Sequence, residues 1–337
     1  MNKPSLAIAI LNWNGRHLLE QFLPSVVRYS EGEDTEVVVI DNGSEDDSCL
    51  FLERNYPQVR LVRLDKNYGF AEGYNRGIQE INTPYLCLLN NDVAVTEGWT
   101  EEPLSLLKMD NVAAVQPKIK SYDNPTLFEY AGAAGGFLDF LGYPFCRGRI
   151  FDTVEPDTLQ YETVTPIFWA SGAALFVRRS DYIEAGGLDP YFFAHMEEID
   201  LAWRLRRMGK EILYTPMSTI YHQGGSSLQQ GSPQKVYLNF RNNLLMLYKN
   251  LPRRSFRKIL FFRILLDFVA SLQYLLQGKS NQSKAIFRAY RDFRKMRKRY
   301  IPATLSPLFP STPSLASFSI VWQYFALGKK RYTQLYS

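Results

Sequence analysis

Tyr85-Leu86-Cys87-Leu88-Leu89-Asn90-Asn91-Asp92 is the stretch that decides the fold. Its first five residues form a short apolar run and its last three are polar. Such a run reads as a buried strand whose carboxyl end emerges at a polar sheet edge. Working outward, Leu6–Leu11, Glu36–Asp41, Val59–Leu64 and Val112–Lys118 are similar apolar or β-branched runs. Helical stretches separate them at Arg16–Arg28, Glu45–Asn55, Gly69–Ile81 and Thr100–Lys108. Strand and helix in alternation predict an α/β fold, with a mostly parallel sheet and helices on both faces. Ligands of such sheets bind outside the carboxyl ends of the strands. That rule directs attention to Asn12–Asn14, Asp41–Ser44, Asp65–Asn67 and Asn90–Asp92.

The 337 residues suggest two domains, and a composition 46% hydrophobic and 22% charged excludes disorder, collagen and coiled coil as the dominant state. Cys49, Cys87 and Cys146 are too few and too scattered for a disulfide framework or a zinc site, and they suit a reducing cytosol. Residues 121–230 are less regular, rich in Gly and aromatics, with one clear helix from about Glu197 to Met208. After Pro233 the chain turns helical and basic. From Lys235 onward there are 20 Lys+Arg against two acids, Asp267 and Asp292, while the preceding residues hold 19 basic and 32 acidic ones. An acidic body with a basic tail fits a site that handles cations beside a surface that seeks anions.

No export signal is visible: Leu6–Leu11 is too short and runs straight into Asn12-Trp13-Asn14-Gly15. The expected location is cytoplasmic, peripheral on the inner face of the cell membrane. Ile259–Leu276 supports the second half of that expectation. Only Arg263 and Asp267 are charged in it, at helical i, i+4 spacing, and basic clusters flank it at Arg253–Lys258 and Arg288–Arg299. At about 27 Å it is borderline for crossing a bilayer. An amphipathic helix lying on an anionic membrane surface fits best, against a single span or a soluble core helix. Nucleic acid is not an expected partner, because basic residues would then come without so long an apolar run.

Each candidate site has a bland reading as well as a chemical one. Asp41-Asn42-Gly43-Ser44 is a turn with a helix cap, or a carboxylate that accepts hydrogen bonds from a base or ribose. Asn90-Asn91-Asp92 is a polar turn, or a ligand for a hard divalent cation bridging phosphates. Glu197-Glu198-Ile199-Asp200 stabilises a helix N-terminus, or supplies a general base. There Asp200 pairs with Arg204 and reads as structural, while Glu198 is the carboxylate placed for chemistry. His222 is a structural histidine, or a neutral second metal ligand, and Gln223–Ser227 after it offers backbone N–H groups to an anion. Neither a nucleophile elbow nor a phosphate-binding Gly-Lys-Ser/Thr loop is present.

Taken in order, these pieces resemble family 2 glycosyltransferases of the GT-A fold, especially bacterial rhamnosyl- and galactofuranosyl-transferase-like members. The matching residues are Leu11–Gly15, Val39–Ser44, Asn67–Ala71 with Asn75 and Gly77, Leu88–Asp92, Ala170–Ala173, Gly186–Asp189, Glu197–Arg204 and His222–Ser226. The resemblance covers about two-thirds of the chain and implies a Rossmann-like GT-A domain over 1–232, with a nucleotide-binding half (1–120) and an acceptor half (121–232). A basic helical membrane-associating region would follow at 233–337. It also implies an inverting transfer of a sugar from a nucleotide-diphosphate donor, a UDP- or dTDP-sugar, to a hydroxyl of a lipid-linked glycan. Donor contacts would come from Asn12, Asn14, Asp41, Asn67, Gly69, Asn75, Asn90 and Asn91, with Asp41 on the base and Asn90 facing the ribose. Mg²⁺ or Mn²⁺ would sit on Asp92 and His222, and the acceptor on Trp169, Ser171 and Gly172. The base falls on the Glu197-Glu198 pair, where the family usually has Glu-Asp, and Glu198 matches the Asp.

Two alternatives remain at this stage. A sugar-1-phosphate nucleotidyltransferase should carry a Gly-rich, basic phosphate loop after the first strand, which Asn12-Trp13-Asn14-Gly15 lacks. A catalytically inactive carbohydrate-binding or membrane scaffold protein of the same fold would have no need of Asp92, Glu198 and His222.

Overall fold

The computed structural model describes residues 4–30, 32, 34–224, 231–303 and 315–336. In chain order the strands are β1 Leu6–Asn12, β2 Thr35–Asp41, β3 Arg60–Arg63, β4 Tyr85–Asn90, β5 Val93–Val95, β6 Val112–Ser121, β7 Gly136–Asp139, β8 Pro144–Cys146, β9 Arg149–Ile150, β10 Thr153–Val154, β11 Thr165–Pro166, β12 Ala174–Arg178, β13 Glu211–His222 and β14 Leu315–Ala316. The helices are α1 Arg16–Tyr29, α2 Ser48–Asn55, α3 Gly69–Gln79, α4 Glu101–Leu107, α5 Arg179–Glu184, α6 Glu197–Arg207, α7 Pro233–Asn250, α8 Arg253–Leu276 and α9 Ser280–Met296. The central sheet runs β11-β13-β6-β12-β4-β1-β2-β3, with β5 on β13, and a smaller sheet runs β10-β9-β8-β7-β14.

The strands β3-β2-β1-β4 pair in parallel, as alternating βα units require. Beyond β4 the sheet is mixed, because β12 enters antiparallel between β4 and β6. Strands β1, β2 and β4 lie between two apolar clusters, while β3 is the edge, with Arg60 and Arg63 exposed. Register sets the site. His222, the last residue of β13, pairs with Val93 of β5, which places it beside Asp92. Gly43, at φ 71°, makes the turn after β2; a Cβ there would stand 2.5 Å from the Lys66 backbone.

The boundary expected at 232/233 falls inside this body. Helix α7 buries Leu244, Leu245, Met246 and Leu247 in the main core, each at most 1% exposed. Arg241, Asn242, Asn243 and Asn250 are buried too, each tied to another segment. Asn243 donates to the Gly142 carbonyl at 2.8 Å and Asn250 to Asp200 at 2.7 Å. Asn242 donates to the carbonyls of Phe192, Ala194 and His195 at 2.8–2.9 Å. Residues 241–247 are buried without a break, and a stretch buried all round leaves no amphipathic stripe to read in the sequence.

Helix α8 is long and apolar enough to cross a membrane. It packs with its polar side inward. Arg263 and Asp267 are 2% and 1% exposed, while Phe268 is 59% and Leu276 82% exposed. Asp267 accepts from the Tyr143 and Tyr290 hydroxyls, both at 2.6 Å, and pairs with Arg263 at 3.4 Å. Ser271 continues the stripe, bonded to Ser283 of α9 at 2.7 Å. The underside is therefore fastened by satisfied polar groups, and the outer face is apolar.

Candidate active site

A cavity of about 420 Å³ opens where the ends of β4 and β13 face the start of α6. Asn90, Asp92 and His222 form one side, Glu197, Glu198 and His195 another, and Ser171 and Gly172 line it as well. Lys235 of α7 and Glu129 complete the polar wall.

His222 Nε2 lies 3.1 Å from Asp92 Oδ1 and 3.3 Å from Asn90 Nδ2, and its Nδ1 lies 3.3 Å from Glu129. Burial works against a charge on this ring, but hydrogen bonds to Asp92 and Glu129 outweigh it and push the pKa up to about 10. A positive charge thus belongs at this point, whether imidazolium or metal ion. Among the described residues no three His, Cys, Asp or Glu side chains form a metal-holding group. Here the imidazole stands between the two carboxylates. Asp92 and His222 Nε2, 3.1 Å apart, would be the pair to hold an ion once it displaces the ring's proton, with Glu129 beside Nδ1, and a hard cation bound through diphosphate needs few protein ligands. The donor set fits Mg²⁺ or Mn²⁺ on those terms.

The second side of the cavity is a carboxylate pair at the start of α6. Phe193, His195 and Met196, just before it, have φ of 67°, 69° and 72°. Asn242 holds this left-handed turn through its three carbonyl contacts. Glu197 Oε2, Glu198 Oε2 and His195 Nε2 are buried with no hydrogen-bond partner among the described residues. Burial pushes the Glu198 carboxyl up to about 7, with backbone N–H groups of Glu198, Ile199 and Met196 pulling the other way. Glu197 is raised well above the usual range, first by burial and then by the neighbouring Glu198 charge. Buried side by side, the two carboxyls hold a proton to higher pH than free carboxylates do. Burial and the Lys235 charge lower His195 to about 4, so it stays neutral. Asp200, one turn on, pairs with Arg204 and Lys249, each at 2.8 Å, outside the cavity.

Glu197 has a consequence for stability. Its folded form keeps a proton that the unfolded chain releases above about 4.5, so stability falls as pH rises past that value. Glu197→Gln, which cannot ionise, is expected to raise the melting temperature at pH 8 and leave it nearly unchanged at pH 4. Thermal unfolding across that range checks it, and an unaltered pH slope would contradict it.

The remaining sequence candidates divide. Asn12, Asn14, Asp41, Asn67 and Asn91 lie at or just past the ends of β1–β4 and Gly69 begins α3; none of them lines the cavity, though Asn91 stands between Asn90 and Asp92, which do. There Asn12 donates to Asp41 at 3.4 Å and accepts from Asn91 at 3.1 Å. Asn14 accepts from the Glu45 amide at 2.7 Å, and Asn67 from the Gly69 amide at 2.8 Å, so both shape loops. Asn75 is a correction. Its amide is spent on Leu188 N, Leu188 O and the Tyr182 hydroxyl, at 2.7–2.9 Å, and it holds the Gly187 turn instead of facing a donor. Trp169 is another: it is 4% exposed, donates to the Phe137 carbonyl and stacks over Gly136 in the core, outside the cavity lining. Of Gln223–Ser227, residues 225–227 lie outside the described residues. Sequence reasoning missed Glu129, His195 and Lys235. Glu129 belongs to no motif, and Lys235 was counted with the tail. Only His195, adjoining the acidic cluster, carried a signal.

Residues 7–164 match the family model described as Glycosyl transferase family 2. A Mycobacterium tuberculosis protein, N-acetylglucosaminyl-diphospho-decaprenol L-rhamnosyltransferase, is 27% identical over 235 residues, 65% of this chain and 76% of that one. Among solved structures, GalNAc-T7 with UDP, GalNAc and Mn²⁺ aligns over 93% of this chain at TM-score 0.58 and 16% identity, though this chain spans only 59% of its length. The mannosyltransferase PcManGT from Pyrobaculum calidifontis, with GDP-Man and Mn²⁺, aligns over 89% of this chain and 80% of its own at TM-score 0.54 and 13% identity. The shared fold is GT-A.

Proposed function

We propose that this chain, whose residues 7–164 match the family 2 glycosyltransferase model, moves a sugar from a nucleoside-diphosphate donor, a UDP- or dTDP-sugar, to a hydroxyl of a lipid-linked glycan, with inversion at the anomeric carbon. The observation that carries this reading is one cavity walled by Asp92 and His222 on one side and by Glu198, poised near neutrality, on the other.

Asp41 and Asn12, at the strand ends, take the nucleotide base, and Asn90 faces the ribose. Asp92 and His222 would hold Mg²⁺ or Mn²⁺, and Glu129 would fix the imidazole. When bound, the cation supplies Lewis-acid neutralisation of the charge that builds on the leaving diphosphate. Glu198 accepts the proton of the acceptor hydroxyl as its oxygen attacks from the face opposite the leaving group. One displacement of this kind inverts the anomeric centre and needs no covalent intermediate. Ser171 and Gly172 lie where the acceptor sugar enters.

The relative's decaprenol-linked acceptor and the Mn²⁺ of the two solved structures support the reading. So does the outward apolar face of α8, with exposed Arg253, Arg254, Arg257 and Lys258 at its start. In our reading that face lies on the anionic inner surface of the cell membrane, as a peripheral attachment.

Asp92→Ala is expected to abolish Mn²⁺-dependent binding of nucleoside diphosphate while thermal unfolding stays cooperative. Titration calorimetry with each diphosphate and Mn²⁺ tests it. Unchanged affinity in the variant would remove Asp92, and with it the metal site, from the proposal.

A further inference from the structure

Trp322–Ala326 forms a π-helical turn near the end of the chain, against the outward side of α8. Between them lies a groove of about 380 Å³ lined by Leu266, Ser319, Val321, Trp322, Phe325 and Ala326. Only Ser319 among these carries a polar side chain. Trp322 is 63% and Phe325 58% exposed, more apolar surface than an isolated turn has reason to show.

The groove wall is anchored. Strand β14 pairs in parallel with β7, and buried Asp139 accepts from the Ile320 amide at 2.9 Å. The wall also leads to the catalytic cavity. The rings of Tyr324 and Phe325 pack on Phe151 at 5.0 and 5.1 Å, and the Tyr324 and Thr153 hydroxyls are 2.8 Å apart. Val154, next in the chain, lines the catalytic cavity.

We propose that this groove is a hydrocarbon-chain site: it holds the apolar tail of the lipid-linked acceptor, whose sugar end reaches the cavity past Thr153 and Val154. The inference rests on the proposed function and adds the acceptor's tail as a recognised part of the substrate. A long unbranched or isoprenoid chain is the fitting occupant. The walls offer it aromatic and aliphatic contact and almost no polar partner, and the groove continues directly into the apolar outer face of α8.

The test compares two acceptors with the same glycan-diphosphate head, one on a long isoprenoid chain and one on a short alkyl group. Both are presented in the same non-ionic detergent micelles, so that bilayer partitioning contributes nothing. The wild-type protein is expected to show a KM for the long-chain acceptor about tenfold or more below that for the short one, since burying a few methylenes is worth that much. Ala326→Trp, which fills the groove, and Trp322→Ala, which opens its wall, should remove most of that preference and leave the short-chain acceptor's kcat and KM unchanged. Equal KM values in the wild-type protein would overturn the groove, as would a preference that survives both variants. So would variants that lose vesicle binding while keeping the preference in detergent, since the groove would then serve bulk lipid. Absence of transfer to either acceptor would instead count against the proposed function itself.

Discussion

Glu198→Gln is expected to lower turnover by about 10²–10⁴-fold, the usual contribution of a general base, with donor affinity preserved. The side chain keeps its size and place at the start of α6 but can no longer take a proton. Turnover of the wild-type protein should rise with pH through about 7, the value to which burial pushes this carboxyl. The variant should lose that rise. Glu197→Gln should cost far less turnover, because burial and the neighbouring Glu198 charge hold the Glu197 carboxyl well above the usual range. Steady-state rates of the two variants across pH 5.5–8.5 decide the matter, that range bracketing about 7 on either side. A larger loss in Glu197→Gln than in Glu198→Gln would move the base to Glu197.

Removal of residues 233–337 is expected to leave no folded catalytic body. The cut takes away α7, whose Leu244, Leu245, Met246 and Leu247 are buried in the main core. Each such side chain is worth about 1.5–3 kcal/mol on burial, so four approach the roughly 5–15 kcal/mol of a whole domain's stability. The same cut removes Asn242, which holds the left-handed turn before Glu197 and Glu198, and Lys235, which lines the cavity. Expression of residues 1–232 with circular dichroism and thermal melting tests this. A soluble, cooperatively melting fragment would contradict it.

These two expectations mark where the sequence was legible. The strands Leu6–Asn12, Thr35–Asp41 and Tyr85–Asn90 and the helices Arg16–Tyr29 and Glu197–Arg207 lie within a residue or two of their sequence reading. Each owes its form to local apolar periodicity, which the chain carries in itself. The antiparallel insertion of Ala174–Arg178 between two sheet strands was not legible, because strand order depends on partners far away in sequence. Helix α7 was taken for part of a basic tail because its buried Asn and Arg residues look like surface residues until the segments they serve are seen. Helix α8 showed its apolar run in the sequence. That Arg263 and Asp267 face inward followed only from Tyr143, Asn243 and Tyr290, which lie on three other segments.

Among the residues that line the cavity, Asp92, Glu198 and His222 stand out in the sequence because each sits at the end or start of a recognisable element beside other polar residues. Glu129 was not, since it reaches His222 only through the pairing of its loop with β6. Trp169 and Asn75 misled for the opposite reason: each adjoins a motif, yet a backbone carbonyl elsewhere captures its side chain.

The central claim is inverting transfer from a nucleoside-diphosphate sugar in the Asp92–Glu198 cavity. Proton NMR of the full-length protein with Mn²⁺, a lipid-diphosphate glycan acceptor and a panel of UDP-, dTDP- and GDP-sugars tests it most directly. The account predicts release of nucleoside diphosphate from one donor, with a new glycosidic bond of the opposite anomeric configuration. A product that retains the donor's configuration, or release of sugar 1-phosphate with nucleoside monophosphate, would contradict it.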